Sequence, residues 1–167
     1  MAGKRSYILK VIIQDILAAV MFFLFAGRIN HVRGWLYFII YLISTVLGLV
    51  YLNSKNPELL LERDKSRNNT KKWDKALLNS YLFLAFFIIY IVGGLDVRFT
   101  GSSISMVLIY PGIIIILLSS FLLIWSMKEN AYFESKARIQ HDREQKVCDT
   151  GPYTLIRHPG YLSIILW

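Results

Sequence analysis

A single cysteine, Cys148, occurs in the 167 residues of this chain. It excludes an internal disulfide and any cysteine cluster for zinc. No His-x-x-x-His or Cys-x-x-Cys spacing occurs either, so no metal centre is expected. Gly-x-Gly-x-x-Gly and phosphate-loop signatures are missing, which removes the common nucleotide-binding folds. Alternation of apolar and polar residues is also absent, which argues against strands. Acidic residues are scarce, 11 against 19 Lys and Arg, for a net charge of +8. Such an excess can mark a nucleic-acid partner. Here the basic residues lie between long apolar runs, so no nucleic acid is expected and the charge reads as membrane orientation.

Apolar length is what the chain does have. Hydrophobic residues make up 55%, and the mean hydropathy is +0.46. The excess is concentrated at residues 8–26, 35–52, 77–95 and 107–127. At a rise of about 1.5 Å per residue, each run can cross a hydrocarbon core of about 30 Å. The first run follows Lys4 and Arg5 as a signal peptide would, but it is too long and lacks a small-x-small cleavage site, so it reads as a retained span. The expected fold is an all-α, multi-pass membrane helix bundle. It has four full transmembrane helices, the start of a fifth, and a cytoplasmic segment. The short stretch 27–34 makes the first two spans a tight antiparallel hairpin. Tyr37, Tyr51, Tyr81, Tyr90, Trp35 and Trp125 fall near run ends, as interfacial anchors do. Counting Lys and Arg by alternate sides gives sixteen against three. The N-terminus, the second loop and the segment after the fourth span are therefore expected in the cytoplasm.

Several polar residues interrupt this pattern. Asp15 lies inside the first span, where a buried acid is often functional. The simpler reading pairs it with a neighbour such as Lys10. Pro111 and Gly112 mark the entry to the fourth span or a kink in it. In the second loop, Asn56-Pro57 opens a turn and can cap a short helix. Leu59, Leu60 and Arg63 suit an amphipathic helix on the membrane surface. A solvated charged linker fits the same residues.

The densest cluster of unusual residues is Gly151-Pro152-Tyr153-Thr154-Leu155-Ile156-Arg157-His158-Pro159-Gly160-Tyr161. Gly151-Pro152 makes a turn. Pro159 disfavours helix at His158, so a helix begins at Pro159. Its N-terminus suits an anion, and Arg157 can clamp a carboxylate. The rings of Tyr153 and Tyr161 suit an adenine or a sulfonium cation. His158 offers a directional hydrogen bond. The residues are equally compatible with Arg157 and Tyr161 anchoring the start of a fifth span.

The run Gly151-Pro152-Tyr153-x-x-x-Arg157-His158-Pro159-x-Tyr161 resembles the signature of the isoprenylcysteine carboxyl methyltransferase family, which is related to the phospholipid N-methyltransferases. Asn130-Ala131-Tyr132-Phe133, Arg138-Ile139-Gln140-His141-Asp142-Arg143 and Asn56-Pro57-Glu58-Leu59 look like its bacterial branch. The resemblance covers most of the chain and is specific from Asn130 onward. It implies a cytosolic S-adenosylmethionine pocket. The matching cofactor positions are Gln140, Gln145, Lys146, Val147, Cys148, Tyr153, Arg157, His158, Pro159, Gly160 and Tyr161. Residues 145–148 match by position more than by type. Ser163 stands where the family often has Gly, which bears on how closely two helices approach.

The expectation is therefore a single membrane methyltransferase-like domain over 1–167. Residues 1–127 form the membrane part, and residues 128–167 form the cofactor segment with the start of a fifth helix. The resemblance implies methyl transfer to a membrane-associated lipid or lipidated acceptor, foremost a prenylcysteine-type carboxylate, in a prokaryotic cell membrane. Methylation of a phospholipid amine or a thiol is the alternative within enzymes. A non-catalytic binding or scaffold protein is the alternative outside them. No catalytic acid or base stands out. The family pattern continues past its signature with an acceptor-contacting Arg and a Glu-Glu pair. This sequence ends at Trp167 without them, so an incomplete enzyme with weak cofactor affinity is expected.

Overall fold

The structure, a computed structural model, describes residues 2–64, 72–101, 105–134 and 145–167. Every regular element among them is helical: α1 (Ala2–Ala26), α2 (Val32–Lys55), α3 (Pro57–Asp64), α4 (Lys72–Phe83), α5 (Ile89–Phe99), α6 (Ile109–Glu129) and α7 (Pro159–Leu166). A π-helical turn, Leu84–Ile88, joins α4 to α5, so that they form one continuous rod. Four stretches are long and apolar enough to cross a membrane: Ser6–Ala26, Val32–Lys55, Lys75–Phe99 and Met106–Glu129. They contain the four apolar runs and extend each by a few residues. Hydrocarbon cannot hydrogen-bond a peptide group, so a spanning chain closes its bonds within the helix. Large apolar side chains such as Leu17, Val20 and Leu24 of α1, or Leu117, Leu118 and Phe121 of α6, point outward, as lipid-facing residues do.

Small residues set the helix spacing. Gly94 of α5 lies against the backbone of α1; a Cβ there would stand 2.5 Å from the Phe22 carbonyl oxygen. Gly48 of α2 makes room for the Ile124 side chain of α6. Close backbone approach of this kind drives helix association where lipid removes the hydrophobic gain. As first and third spans, α1 and α5 run in the same direction and pack along their length. Between them sits an aromatic core of Phe38 and Tyr90 with Ala18. Tyr37 and Tyr90, expected at the interface, instead pair their hydroxyls at 3.0 Å inside the bundle. A buried tyrosine hydroxyl needs a partner, and each of these supplies the other's. Apolar flanks made them resemble span ends, yet the helices run past them.

Helix α3 forms where Asn56 and Pro57 predict it. Asn56 Oδ1 accepts the Leu59 amide at 3.3 Å, and Asn56 Nδ2 donates to the Met127 carbonyl of α6 at 3.1 Å. The helix is a strut against protein rather than a float on lipid. Leu59 and Leu60 are 0% exposed and pack with Leu49, Leu52 and Met127. Arg63 donates to the Tyr7 hydroxyl at 2.7 Å and the Phe133 carbonyl at 3.0 Å. Its guanidinium also lies over both rings. Truncation of so buried a leucine removes its transfer energy and leaves a cavity. Leu60→Ala is expected to destabilise the protein by about 2–5 kcal/mol, read from thermal unfolding in detergent.

The hairpin between α1 and α2 carries a titrating cap. His31 Nδ1 accepts the Gly34 amide at 3.1 Å, which requires an unprotonated nitrogen. Partial burial first, then Arg28 and Arg33, hold this imidazole below its ordinary pKa. The folded form is therefore harder to protonate than the unfolded one. The cap's contribution is complete above about pH 6.5 and is lost as pH falls through the lower folded value. The melting temperature of wild type should drop on this account between about pH 7 and about pH 5. His31→Asn keeps an acceptor without titrating and should remove that part of the slope.

Candidate functional site

The C-terminal end of α6 organises the residues singled out in the sequence. A helix leaves its last carbonyls without partners, and these must be met from outside. Asn56 takes the Met127 carbonyl. The Ser126 carbonyl receives the Asn130 amide at 3.1 Å and the Tyr153 hydroxyl at 3.5 Å. Cys148 Sγ donates to the Glu129 carbonyl at 3.8 Å, a weak sulfur contact. Thr150 Oγ1 donates to Glu129 Oε2 at 3.3 Å. Asn130 Nδ2 donates to the Tyr153 oxygen at 3.2 Å. Burial is the main cause holding the Tyr153 phenol above its ordinary pKa, with the Asn130 bond opposing it. It stays protonated and serves as a donor.

Gly151 makes this seating possible. Its φ is +58°, in the left-handed region open to glycine. A Cβ would also run into the Glu129 side chain and stand 3.0 Å from the Trp125 indole nitrogen. The short 3₁₀ turn Gly151–Thr154 therefore rests directly on α6, with Pro152 buried beneath it.

The chain then turns outward and enters α7 at Pro159, as the proline predicts. Pro159, Gly160 and Ser163 face inward. A Cβ on Gly160 would stand 2.5 Å from the Phe133 ring. Ser119 Oγ of α6 donates to the Ser163 carbonyl at 2.8 Å, while Ser163 Oγ donates to the Gly160 carbonyl at 2.7 Å. Serine in place of glycine at 163 thus leaves α6 and α7 in close contact. The opposite face of α7 is open. Arg157, His158 and Tyr161 are exposed, Tyr161 by 63%. The His158 and Tyr161 rings lie side by side, 5.4 Å between centroids.

Eleven residues were expected in one cofactor site, and the structure sorts them by what they touch. His158, Tyr161 and Arg157 form an open rim at the start of α7. Gln145, Lys146 and Val147 are exposed on the strap leading to Cys148. Tyr153 and Cys148 serve α6, and Pro159 and Gly160 serve helix packing. Gln140 and its neighbour His141 lie outside the described residues. One expectation needs correction. The α7 start was to offer free amides to an anion, but Pro159 has no N–H and the Tyr161 amide bonds the His158 carbonyl at 3.1 Å, beside the ordinary Leu162 bond at 3.2 Å. Of the first-turn amides only that of Gly160 is left without such a bond among the described residues.

Sequence reasoning passed over Ser119, Ser126 and Glu129. A signal was present: Ser119, Ser126 and Asn130 are spaced i, i+7, i+11, which places them on one stripe of α6 and its C-cap. Polar residues on one stripe of an apolar span mark a protein-facing surface. No protein-family model, curated protein or solved structure matches this chain.

The α6–α7 contact yields a direct test. Gly160→Leu should destabilise the protein, because the Phe133 ring must move. Phe133→Ala in the same chain should recover part of the loss. The coupling expected between residues in contact is about 0.5–3 kcal/mol, obtained from a double-mutant cycle on thermal unfolding.

Proposed function

We propose that this protein uses S-adenosylmethionine to methylate an acceptor lodged in or at the membrane. One observation carries the reading. The residues of the signature-like run that are not used in packing, Arg157, His158 and Tyr161, lie exposed together where α7 meets the end of α6. When bound, the cofactor would supply an electrophilic methyl group on a positively charged sulfur, which would leave as a neutral thioether.

The chain's own residues then have distinct tasks. Tyr161 offers an open ring face to a flat base or a cation. His158 beside it gives a directional hydrogen bond. Arg157 is free to hold a carboxylate in a planar fork. Tyr153, locked by Asn130 and Ser126, fixes the height of the turn rather than its chemistry. A carboxylate acceptor is already nucleophilic at neutral pH, so positioning and exclusion of water carry the rate without a general base. The preferred acceptor is a prenylcysteine-type carboxylate, with a phospholipid amine or a thiol as the enzymatic alternatives. The sixteen-to-three division of basic residues supports a cytoplasmic position for this rim, on the side where the cofactor is made.

A second reading is supported by the packing itself. Tyr153, Pro159 and Gly160 are committed to structure, so a binding or scaffold protein could keep the same run without catalysis. Equilibrium binding of labelled S-adenosylmethionine to the protein in nanodiscs separates these readings from no binding. His158→Ala and Tyr161→Ala should each weaken it about fivefold, near 1 kcal/mol. Their melting temperatures should hold, since both side chains are exposed. Binding unchanged by both would refute the proposed rim. Transfer of label to prenylcysteine, to phosphatidylethanolamine or to neither then distinguishes the acceptors from the scaffold.

A further inference from the structure

About 12 Å of helix deeper than His158, counting eight or nine residues of α7 at 1.5 Å each, the bundle encloses a second polar centre with no part in the proposed cofactor rim. Its charged member is Asp15 of α1, which is 5% exposed. Thr45 of α2 hydrogen-bonds this carboxylate. The second oxygen, Oδ2, is buried with no hydrogen-bond partner among the described residues. A carboxylate oxygen without a partner inside a membrane bundle is strongly disfavoured, and such acids face binding sites or ion paths.

The surroundings are rich in oxygen. Tyr37, Tyr41 and Tyr90 lie within electrostatic reach of the Asp15 carboxylate. The Tyr37–Tyr90 hydroxyl pair keeps lone pairs beyond its own bond, one of them on Tyr37 engaged loosely by the Trp167 indole. Trp167 stacks on Tyr41 at 5.5 Å and shields that ring from the α7 side. The π turn Leu84–Ile88 packs on α1 and buries Ala85. Gly94 stands against Phe22 and Ala26 in two parallel helices, so the same register sets residues near 85 beside Asp15. Inserted π turns recur at functional sites, because they displace carbonyls from the regular ladder.

We propose that Asp15, Thr45 and the hydroxyls of Tyr37, Tyr41 and Tyr90 form an intramembrane site for one monovalent cation, Na⁺ or K⁺. The donor set is carboxylate and hydroxyl oxygen, which suits hard cations and not soft metals. Among the described residues, no group of three His, Cys, Asp or Glu side chains could hold a metal. Asp96 and Glu129, the other described acids inside the spans, stand near their ends. One carboxylate matches one positive charge, whereas calcium takes six to eight oxygens and magnesium keeps several of its waters. Occupancy would tie α1 to α2 and to the rod of α4 and α5, the helices whose packing carries the aromatic core.

Thermal unfolding of the purified protein in detergent tests this. N-methylglucamine chloride is replaced by NaCl or KCl at constant ionic strength. A ligand that binds only the folded state raises stability with the logarithm of its concentration. Wild type should therefore show a melting temperature that climbs by an equal step for each tenfold rise in Na⁺ or K⁺ above half-saturation. Asp15→Asn should be flat. Tyr41→Phe, which deletes one oxygen and keeps the ring, should raise the half-saturating concentration several-fold. Tyr41→Phe decides the matter even where Asp15→Asn does not fold. Equal melting in all three salts overturns the proposal, since the carboxyl then carries a proton in place of a cation. An equal rise in wild type and Asp15→Asn overturns it as well, as a general salt effect.

Discussion

Hydrocarbon offers a peptide group no hydrogen bond, and the arrangement of this chain follows from where that constraint is met. Within the spans the helices satisfy themselves. At a helix end they cannot, and the last carbonyls of α6 draw in partners from three other parts of the sequence. Asn56 comes from the start of α3, Cys148 from the strap, and Tyr153 from the turn before α7. Each is remote from α6 in sequence. Capping one helix therefore assembles the polar end of the bundle.

Small residues turn that capping into close packing. Gly151 lets the turn rest on Trp125 and Glu129, and Gly160 lets α7 rest on Phe133. Phe133 also gives its carbonyl and ring face to Arg63. The path from α3 to α7 thus runs through one phenylalanine. Leu59 and Leu60 hold α3 in place by burial, and Arg63 transmits its position by directed bonds. Position at the exposed rim of Arg157, His158 and Tyr161 depends on residues that never reach it.

Local signals were legible in the sequence, and facing surfaces were less so. The four spans, the Asn56 cap and the helix start at Pro159 depend on residues adjacent in the chain. Their physics needs no partner, and the structure has them. Tyr37 and Tyr90 were misplaced because an apolar run does not say which of its faces meets lipid and which meets protein. Helix α3 was misplaced for the same reason: an amphipathic stripe fits a bilayer surface or a protein groove equally well. Tyr153, expected at the cofactor, also caps α6 through its hydroxyl, a second use that the letter alone does not show. Ser119, Ser126 and Asn130 show that part of this was recoverable, since polar residues on one stripe of a span report the buried face.

Packing and ligand binding are not exclusive uses of one motif. A proline and a glycine that press α7 against its neighbour also fix the directions of His158 and Tyr161, which leave the same turn on the other side. Rigid support is what a binding rim requires, because side chains held in place lose less entropy when they engage a ligand. Asp15 shows the opposite economy. Its carboxylate is buried and hydrogen-bonded by Thr45, yet its Oδ2 has no hydrogen-bond partner among the described residues. Ser119 and Ser163, buried at α6 and α7, have had every such need met by a neighbouring carbonyl. The contrast in one small bundle separates polar groups that hold helices together from Asp15 Oδ2 and the Trp167 indole nitrogen, both left without a hydrogen-bond partner of good geometry among the described residues.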